Sequence, residues 1–115
     1  MVFFKDETHK QETKSILDEL GKLRLFDDIE YGTFAYVVGA TGKFKQLKKV
    51  FDYDGISIGE LYELMDVFST SEKGMIRFAV QCFSNSMDDI TIGEVMRPLD
   101  SENKKVIMQA IDMRY

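Results

Sequence analysis

Apolar residues recur at helical spacing along most of this chain. Between about residues 7 and 23, two polar turns are followed by an apolar face made of Ile16, Leu17, Leu20 and Leu23. The same spacing predicts helices over 41–51, 58–68 and 70–83, a short helix ended by Pro98, and a last helix capped by Ser101. We therefore expect an all-α fold, a compact bundle of about six or seven short helices with little or no sheet.

The pattern leaves one apolar segment, Tyr31–Val38, open between two structures. The β-branched pair Val37 and Val38 favours a strand. Helical neighbours on both sides and acidic residues at its start favour a buried helix ending at Gly39. We expect the helix and keep the strand as the alternative.

One short phrase occurs twice, as Ile56–Leu61 and as Ile90–Val95, with starts 34 residues apart (90 − 56). Each copy predicts a helix start in which a hydroxyl cap and a glutamate three residues later form a capping box. The predicted boxes are Ser57 with Glu60 and Thr91 with Glu94. The first and sixth residues of each copy, an apolar pair, should pack as a buried hydrophobic staple.

The two copies begin two similar capped helical hairpins in the C-terminal half of the chain. In each, the stapled helix is followed by an aspartate, Asp66 or Asp100, and then by a second helix with a serine cap. Two hairpins are too few for a solenoid. An ancient duplication and independent use of the same capping solution both account for the similarity.

Composition describes one ordinary folded unit. Of 115 residues, 44% are hydrophobic, and no Pro-rich or Gly/Ser-rich linker interrupts them, so we expect residues 1–115 to form a single helical domain. One cysteine cannot form an internal disulfide, which is typical of a reducing compartment. No apolar run is long enough for a signal peptide or a membrane span, so we expect a cytoplasmic protein without a membrane partner.

Residues that could carry catalysis are few. His9 is the only histidine and lies in polar turns, so we expect it to be solvated on the surface, and Cys82 lies in an apolar helix and should be inert. A calcium loop at Asp52–Gly55 fails because Val50 and Leu61 would occupy ligand positions. The sequence therefore predicts no enzyme, no cofactor and no metal, with a hydrolase or transferase as the least favoured reading.

Charge supplies two candidate partner surfaces. Twenty acids against fifteen bases give a net charge of −5, which disfavours nucleic-acid binding over the whole surface. Many of the acids suit helix N-termini, and the remainder could meet a basic partner. The candidate partner-binding acids are Asp27, Asp28, Glu30, Asp52, Asp54, Asp88 and Asp89. The alternative is a nucleic-acid face on the Lys43–Lys49 helix, formed by Lys43, Lys45, Lys48 and Lys49.

Several segments together give the chain a resemblance to a known group of proteins. The segments are Phe4–His9, Arg77–Asn85, Leu99–Asn103 and Ala110–Tyr115. They resemble a family of small uncharacterised proteins of low-GC Gram-positive bacteria and their prophages. The resemblance implies a helical fold and an association with mobile elements, and it implies no activity.

Two functional hypotheses follow. The first is a non-enzymatic phage or prophage accessory protein that binds a host protein in the host cytoplasm. Its specific form is an inhibitor of a bacterial defence system, such as an anti-CRISPR protein whose acids block a basic channel of a Cas nuclease. The second is a small nucleic-acid-binding regulator that uses the lysine face.

Overall fold

Seven α-helices and one small β-hairpin follow one another in the computed structural model, which describes residues 1–115. The helices are α1 (Glu7–Glu19), α2 (Ile29–Gly39), α3 (Phe44–Leu47), α4 (Ile58–Met65), α5 (Thr70–Phe83), α6 (Ile92–Met96) and α7 (Ser101–Arg114). A single 3-10 turn, Lys48–Val50, follows α3, and two-residue strands β1 (Phe51–Asp52) and β2 (Gly55–Ile56) pair antiparallel. The predicted all-α bundle is confirmed.

Helix α2 lies at the centre of the molecule. Every residue from Gly32 to Ala40 is buried, and the helix packs against α1, α5 and α7. The Asp28 carboxylate caps it by accepting the Tyr31 N–H at 3.3 Å. The helix alternative for this segment is therefore correct, because a helix satisfies its own backbone groups whereas these helical neighbours offer a strand no partner.

The core is one cluster of 26 buried apolar residues. The inward faces predicted for α4, α5 and α7 supply nine of these 26 residues. Their fully buried members are Leu61, Met65, Met75, Ile76, Ala79, Val80, Val106, Ile107 and Ala110, whereas Leu64, Phe68, Phe83 and Ile111 are half-buried.

Helix α1 ends earlier than the apolar pattern predicts. Gly21, at φ +73°, and Lys22 close the helix by donating their N–H groups to the carbonyls of Asp18 and Leu17. This is a Schellman motif, which only a residue tolerant of positive φ completes without strain. The expectation that Leu23 continues the buried face is wrong, because Leu23 lies beyond the turn and is 87% exposed.

The helix predicted over 41–51 is only partly present. Helix α3 has no side-chain cap at Lys43 and lasts four residues. The chain then tightens into the 3-10 turn and becomes extended at Phe51, which pairs with Ile56 across the hairpin. Phe51, which local periodicity assigns to a helix, therefore forms part of a strand pair. Helix α4 likewise ends at Met65, before Phe68.

The predicted caps have mixed outcomes. Thr91 with Glu94 forms a capping box, as does Ser69 with Glu72 before α5, whereas Ser57 makes no side-chain cap at α4. Helix α7 is capped by Asp100, whose carboxylate accepts the Asn103 N–H at 2.8 Å; the expectation that Ser101 caps it is wrong. A carboxylate one residue earlier takes the position, so Ser101 becomes the first helical residue.

Of the two predicted staples, one is buried throughout. Ile90 and Val95 are both buried, whereas Ile56 is only half-buried opposite a buried Leu61. Ile56 belongs to β2, and its strand conformation leaves it at the edge of the core.

Candidate functional site

His9 is a core residue, contrary to the surface position expected from its polar neighbours. It is 1% exposed, and its ring packs between Phe4 and Tyr36 with centroids 5.0 and 4.8 Å away. Nε2 lies 2.8 Å from the Tyr36 carbonyl, and Nδ1 accepts the Lys5 N–H at 3.2 Å, which assigns the neutral ring with the proton on Nε2. Burial lowers the pKa of His9, and the Tyr36 hydrogen bond only partly offsets this. Both ring nitrogens of His9 therefore make hydrogen bonds within the fold.

Cys82 is buried, as its apolar helix predicts. Burial raises the pKa of its thiol to about 12, so the reactive thiolate is strongly disfavoured at neutral pH. No group of three or more His, Cys, Asp or Glu side chains is arranged to hold a metal ion.

Asp88 is the most deeply placed of the seven candidate acids. Its side chain is 4% exposed and accepts hydrogen bonds from the Arg77 guanidinium, the Tyr62 hydroxyl and the Ile90 N–H. Burial alone would raise the pKa of Asp88, but these hydrogen bonds outweigh it and lower the pKa below the ordinary value. The Asp88 carboxylate therefore ties the loop before α6 to α4 and α5, a structural role that the sequence did not predict.

Four further acids have local partners; one of them, Asp89, lies 3.4 Å from the Arg77 guanidinium. Asp27 pairs with Arg24 at 3.3 Å, and Asp28 both caps α2 and lies 3.6 Å from Lys22. Asp52 accepts the N–H groups of Asp54 and Gly55 and so fixes its own hairpin turn. The three that carry no cap or turn are Glu30, which is half-buried, and Asp54 and Asp89, which are exposed.

The four candidate lysines do not share one surface. Lys43 lies apart from the other three lysines. Its Nζ is 3.7 Å from a carboxylate oxygen of Glu72 and 5.0 Å from the centroid of the Phe68 ring. The other three are exposed and line a shallow cavity of about 410 Å³ together with Glu19, Gln46 and Phe51. Lys48 and Lys49 form exposed ion pairs with Glu19 and Glu60, whereas Lys45 forms none.

A groove beside α1 is the surface that sequence reasoning missed. We call it the α1 groove; it has a volume of about 300 Å³ and lies between α1 and residues 23–25. Its apolar lining is Phe4, Leu17, Leu23 and Leu25, and its charged rim is Glu7, Lys10, Lys14 and Arg24. Leu17 is buried, whereas Leu23 stands 87% exposed on the wall.

Local hydrogen bonds hold the wall of the α1 groove in place. After the Schellman turn, the Asp27 carboxylate accepts the Arg24 N–H at 3.1 Å and the Asp27 N–H donates to the Arg24 carbonyl. Gly32 of α2 lets the Leu25 backbone approach so closely that a side chain there would collide with the Leu25 carbonyl. Leu23 is therefore exposed on an anchored loop.

The other wall is anchored through Phe4. The preceding residue, Phe3, donates its N–H to Gln109 of α7 at 3.0 Å and accepts the Tyr36 hydroxyl at its carbonyl. The following residue, Lys5, donates its N–H to His9. Because these contacts flank Phe4 on both sides, its ring has a fixed position against the His9 ring.

The rim of the α1 groove carries charges of both signs. Lys10 forms no ion pair. Lys14 forms a long one, with its Nζ 4.0 Å from a carboxylate oxygen of the exposed Asp18. Arg24 pairs with Asp27, and its side chain is 82% exposed. Three cations and one carboxylate line the groove, and Asp18 and Asp27, the partners of Lys14 and Arg24, lie beside it, so the two signs of charge balance there.

Comparisons with protein-family models, curated proteins and solved structures find no match to this chain. The resemblance to prophage-borne proteins therefore stays a prediction. No helix combines the length and apolarity that crossing a membrane requires.

Proposed function

We propose that this protein is a non-enzymatic binding protein and that the α1 groove receives a segment of its partner. The exposure of Leu23 carries the proposal. Leu23, 87% exposed, extends the apolar surface of Phe4, Leu17 and Leu25 in the groove, and contiguous exposed apolar surface is typical of protein interfaces.

The resemblance to prophage-borne proteins supports a narrower form of this proposal. In it, the protein is a phage accessory factor and its partner is a host protein. An inhibitor of a defence system, such as an anti-CRISPR protein that blocks a Cas nuclease, is its most specific form. Asp88, one of the seven candidate acids, is buried and paired with Arg77. We therefore propose that the partner is bound through the α1 groove and not through an array of all seven acids.

Interference with phage restriction tests this form directly. The protein is expressed in a bacterium whose active CRISPR system targets an infecting phage, and the efficiency of plaquing is measured. We expect the wild-type protein to restore plaquing and Leu23→Ser to lose that effect. Met108→Ser is the matched control, because Met108 is an exposed apolar residue on α7, and it should behave as wild type. Both changes should alter the free energy of unfolding by less than about 0.5 kcal/mol.

Two results would count against the proposal. Unchanged restriction in hosts carrying each major CRISPR type would reject the anti-CRISPR form. Equal loss of plaquing in Leu23→Ser and Met108→Ser would reject the α1 groove as the binding surface.

A nucleic-acid-binding regulator is the second candidate, favoured by the cavity that Lys45, Lys48 and Lys49 line. Phosphates could displace the half-buried carboxylates of Glu19 and Glu60 from Lys48 and Lys49. Three phosphate contacts on duplex DNA predict a log–log salt slope of roughly −3.

Fluorescence anisotropy with labelled duplex DNA and single-stranded RNA measures the slope. The variant has Lys45, Lys48 and Lys49 changed to Ala, and the charge-matched control has the exposed Lys10, Lys14 and Lys104 changed to Ala. Equal binding by the two triple variants would reject this candidate.

A further inference from the structure

Residues 2–5, which we call the strap, lie against α2 and α7 without entering the backbone hydrogen-bond network of the fold. No backbone–backbone hydrogen bond involves the strap. Side chains hold both backbone groups of Phe3: its N–H donates to Gln109 of α7 at 3.0 Å, and its carbonyl accepts the Tyr36 hydroxyl from α2. The strap can therefore detach without breaking a helix or a strand.

The strap also covers His9. The Lys5 N–H donates to Nδ1 of His9 at 3.2 Å, and the Lys5 ammonium lies 3.0 Å from Asn103 of α7. The Phe4 ring packs against the His9 ring, with centroids 5.0 Å apart. On the other side, the Tyr36 carbonyl lies 2.8 Å from Nε2, and His9 is left 1% exposed. The strap thus forms one side of the enclosure around this ring.

A proton added to His9 changes its two hydrogen bonds differently. Nε2 already carries a proton, so its bond to the Tyr36 carbonyl is kept. Nδ1 accepts the Lys5 N–H through its lone pair, and protonation converts this nitrogen into a second donor. Two N–H groups then face each other across a distance of 3.2 Å. Only the bond on the strap side of the ring is lost.

We infer that the strap is a pH-sensitive element: protonation of His9 releases residues 2–5 while the helices stay in place. The proton comes from solvent and remains on Nδ1, and no other covalent change is needed. The inference does not depend on the proposed function. Because Phe4 also lines the α1 groove, release of the strap removes part of one wall of that groove.

The charged groups nearest the His9 ring lie in the strap and at the start of α1. Burial has the largest effect and lowers the pKa of His9, while the Tyr36 carbonyl raises it by less. Of the neighbouring charges, the Lys5 ammonium lowers this pKa and the Asp6 carboxylate raises it. Once the strap has left, water reaches the ring and its pKa returns toward 6.5. Release is therefore favoured as pH falls below 6.5.

The other elements packed against the strap present no second group that titrates in this range. Helix α2 presents the Tyr36 phenol, whose pKa burial raises, so the phenol stays neutral. Helix α7 presents two uncharged amides and Lys105, whose Nζ lies 5.9 Å from the centroid of the Phe3 ring and 3.4 Å from Glu102. Histidine is the side chain that ordinarily changes charge between about pH 8 and pH 5. His9 is therefore the group that couples the strap to pH.

Nuclear magnetic resonance of the full chain, titrated from about pH 7.5 to about pH 4.5, tests the inference. The His9 ring protons report its charge, the amide signals of Phe3, Phe4 and Lys5 report the strap, and circular dichroism reports helix content. We expect the strap signals to move toward unfolded-chain values with the midpoint of the His9 titration, below pH 6.5. Helix content and the amide signals of α5 should stay constant through that midpoint.

Variants locate the switch. His9→Gln has no charge to gain, so the strap signals should lose their pH response. Gln109→Ala removes an anchor that holds Phe3, so the strap should open about fivefold more readily, which raises the His9 midpoint by roughly 0.7 pH unit. Gln46→Ala makes the same change at an exposed amide of α3. It is the control and should leave the midpoint at the wild-type value.

Four results would overturn the inference. They are a His9 titration that leaves the strap signals in place, loss of strap and helices at the same pH, a strap response that persists in His9→Gln, and equal midpoints for Gln109→Ala and Gln46→Ala. If His9→Gln does not fold, the comparison of the two glutamine variants decides alone. None of these measurements involves plaquing, so the strap and the proposed function fail separately.

Discussion

The two copies of the repeated phrase begin helices in different ways. At α6, Thr91 accepts the Glu94 N–H at 3.1 Å and Glu94 accepts the Thr91 N–H at 3.0 Å, which completes a capping box. At α4, Ser57 makes no side-chain cap. The same residues at the same spacing therefore form a cap in one place and leave it unmade in the other.

The residues that precede each copy explain the difference. The Ser57 N–H donates to the Val50 carbonyl at 2.9 Å as part of the hairpin. Because this N–H already has an acceptor, it does not require the Glu60 carboxylate. Glu60 lies instead 3.6 Å from Lys49. Ser57 has ψ 90°, against 156° for Thr91, so the chain enters the two helices at different angles. A capping box requires a free N–H as well as the right residues.

Each copy has an aspartate two positions before it (56 − 54 and 90 − 88), and the surroundings of the two aspartates differ even more. Asp54 is exposed at the hairpin tip, whereas Asp88 is buried and accepts hydrogen bonds from Arg77, Tyr62 and Ile90. An identical residue at an identical offset is thus a surface group in one copy and a core group in the other.

Removing these aspartates gives the largest expected contrast. Asp88→Ala should lower the free energy of unfolding by about 3 kcal/mol, because Arg77, Tyr62 and the Ile90 N–H all lose their acceptor. Asp54→Ala should change it by less than about 0.5 kcal/mol. Urea unfolding followed by circular dichroism measures both, and equal losses would show that the Asp88 network adds no stability.

Acid provides a second contrast. Because the pKa of Asp88 is lowered from 3.8 in the fold, its contribution to stability is complete above pH 3.8 and is lost as pH falls through the lower folded value. Asp88→Asn should be less stable than wild type at neutral pH and should lose less stability below pH 3.8. Parallel pH profiles for the two proteins in urea would contradict this.

His9 predicts a separate loss at milder pH, which Asp88→Asn should retain. Its pKa is lowered from 6.5 in the fold, so the unfolded chain takes up the proton first. Stability is complete above pH 6.5 and falls as pH drops below it. His9→Gln should remove this dependence, and a profile that stays flat in the wild-type protein between pH 6.5 and about 5 would contradict it.

The caps themselves give a smaller contrast. Thr91→Ala should lower the free energy of unfolding by about 1 kcal/mol, because the Glu94 N–H loses its acceptor. Ser57→Ala should change it by less than about 0.5 kcal/mol. Thermal and urea unfolding of the two variants test this, and a larger loss for Ser57→Ala would show that Ser57 caps α4 in solution.

The glycines inside the two copies should behave alike and give the smallest effect. A side chain at Gly59 would meet nothing within 4 Å, and one at Gly93 would make only ordinary contacts near 4 Å. Gly59→Ala and Gly93→Ala should each raise the free energy of unfolding by about 0.5 kcal/mol, since alanine costs less backbone entropy in a helix. A loss at one position alone would reveal a contact specific to that copy.

Local signals predicted a large part of the fold. The Ser69 cap and the apolar face fix α5 at Thr70–Phe83, as expected from the sequence. Pro98 lies just beyond the short helix that it was expected to end. Errors occur where a non-local partner intervenes: Phe51 pairs with Ile56, and this pairing shortens the helix predicted over 41–51. Periodicity carries no information about such a partner.

The candidate site was much less predictable. His9 has polar neighbours on its own helix, and its apolar contacts come from Phe4 and Tyr36, the second of which lies 27 residues away. Leu23 continues an apolar stripe in the sequence, but Gly21 turns the chain before it is reached. The Gly21 signal was present in the sequence and could have placed Leu23 outside the helix. The groove itself needs Phe4 from one segment and Leu25 from another.

The sequence by itself determined the helical class, most helix starts and most of the apolar faces, because caps, glycines and helical periodicity act over a few residues. Tertiary structure decided which of two matching phrases is capped, which of two matching aspartates is buried, and which leucine remains exposed. These outcomes depend on a hydrogen-bond donor, a guanidinium or an apolar wall supplied by another part of the chain. The repeated phrase encodes a helix start, and the residues around it determine how that start is satisfied.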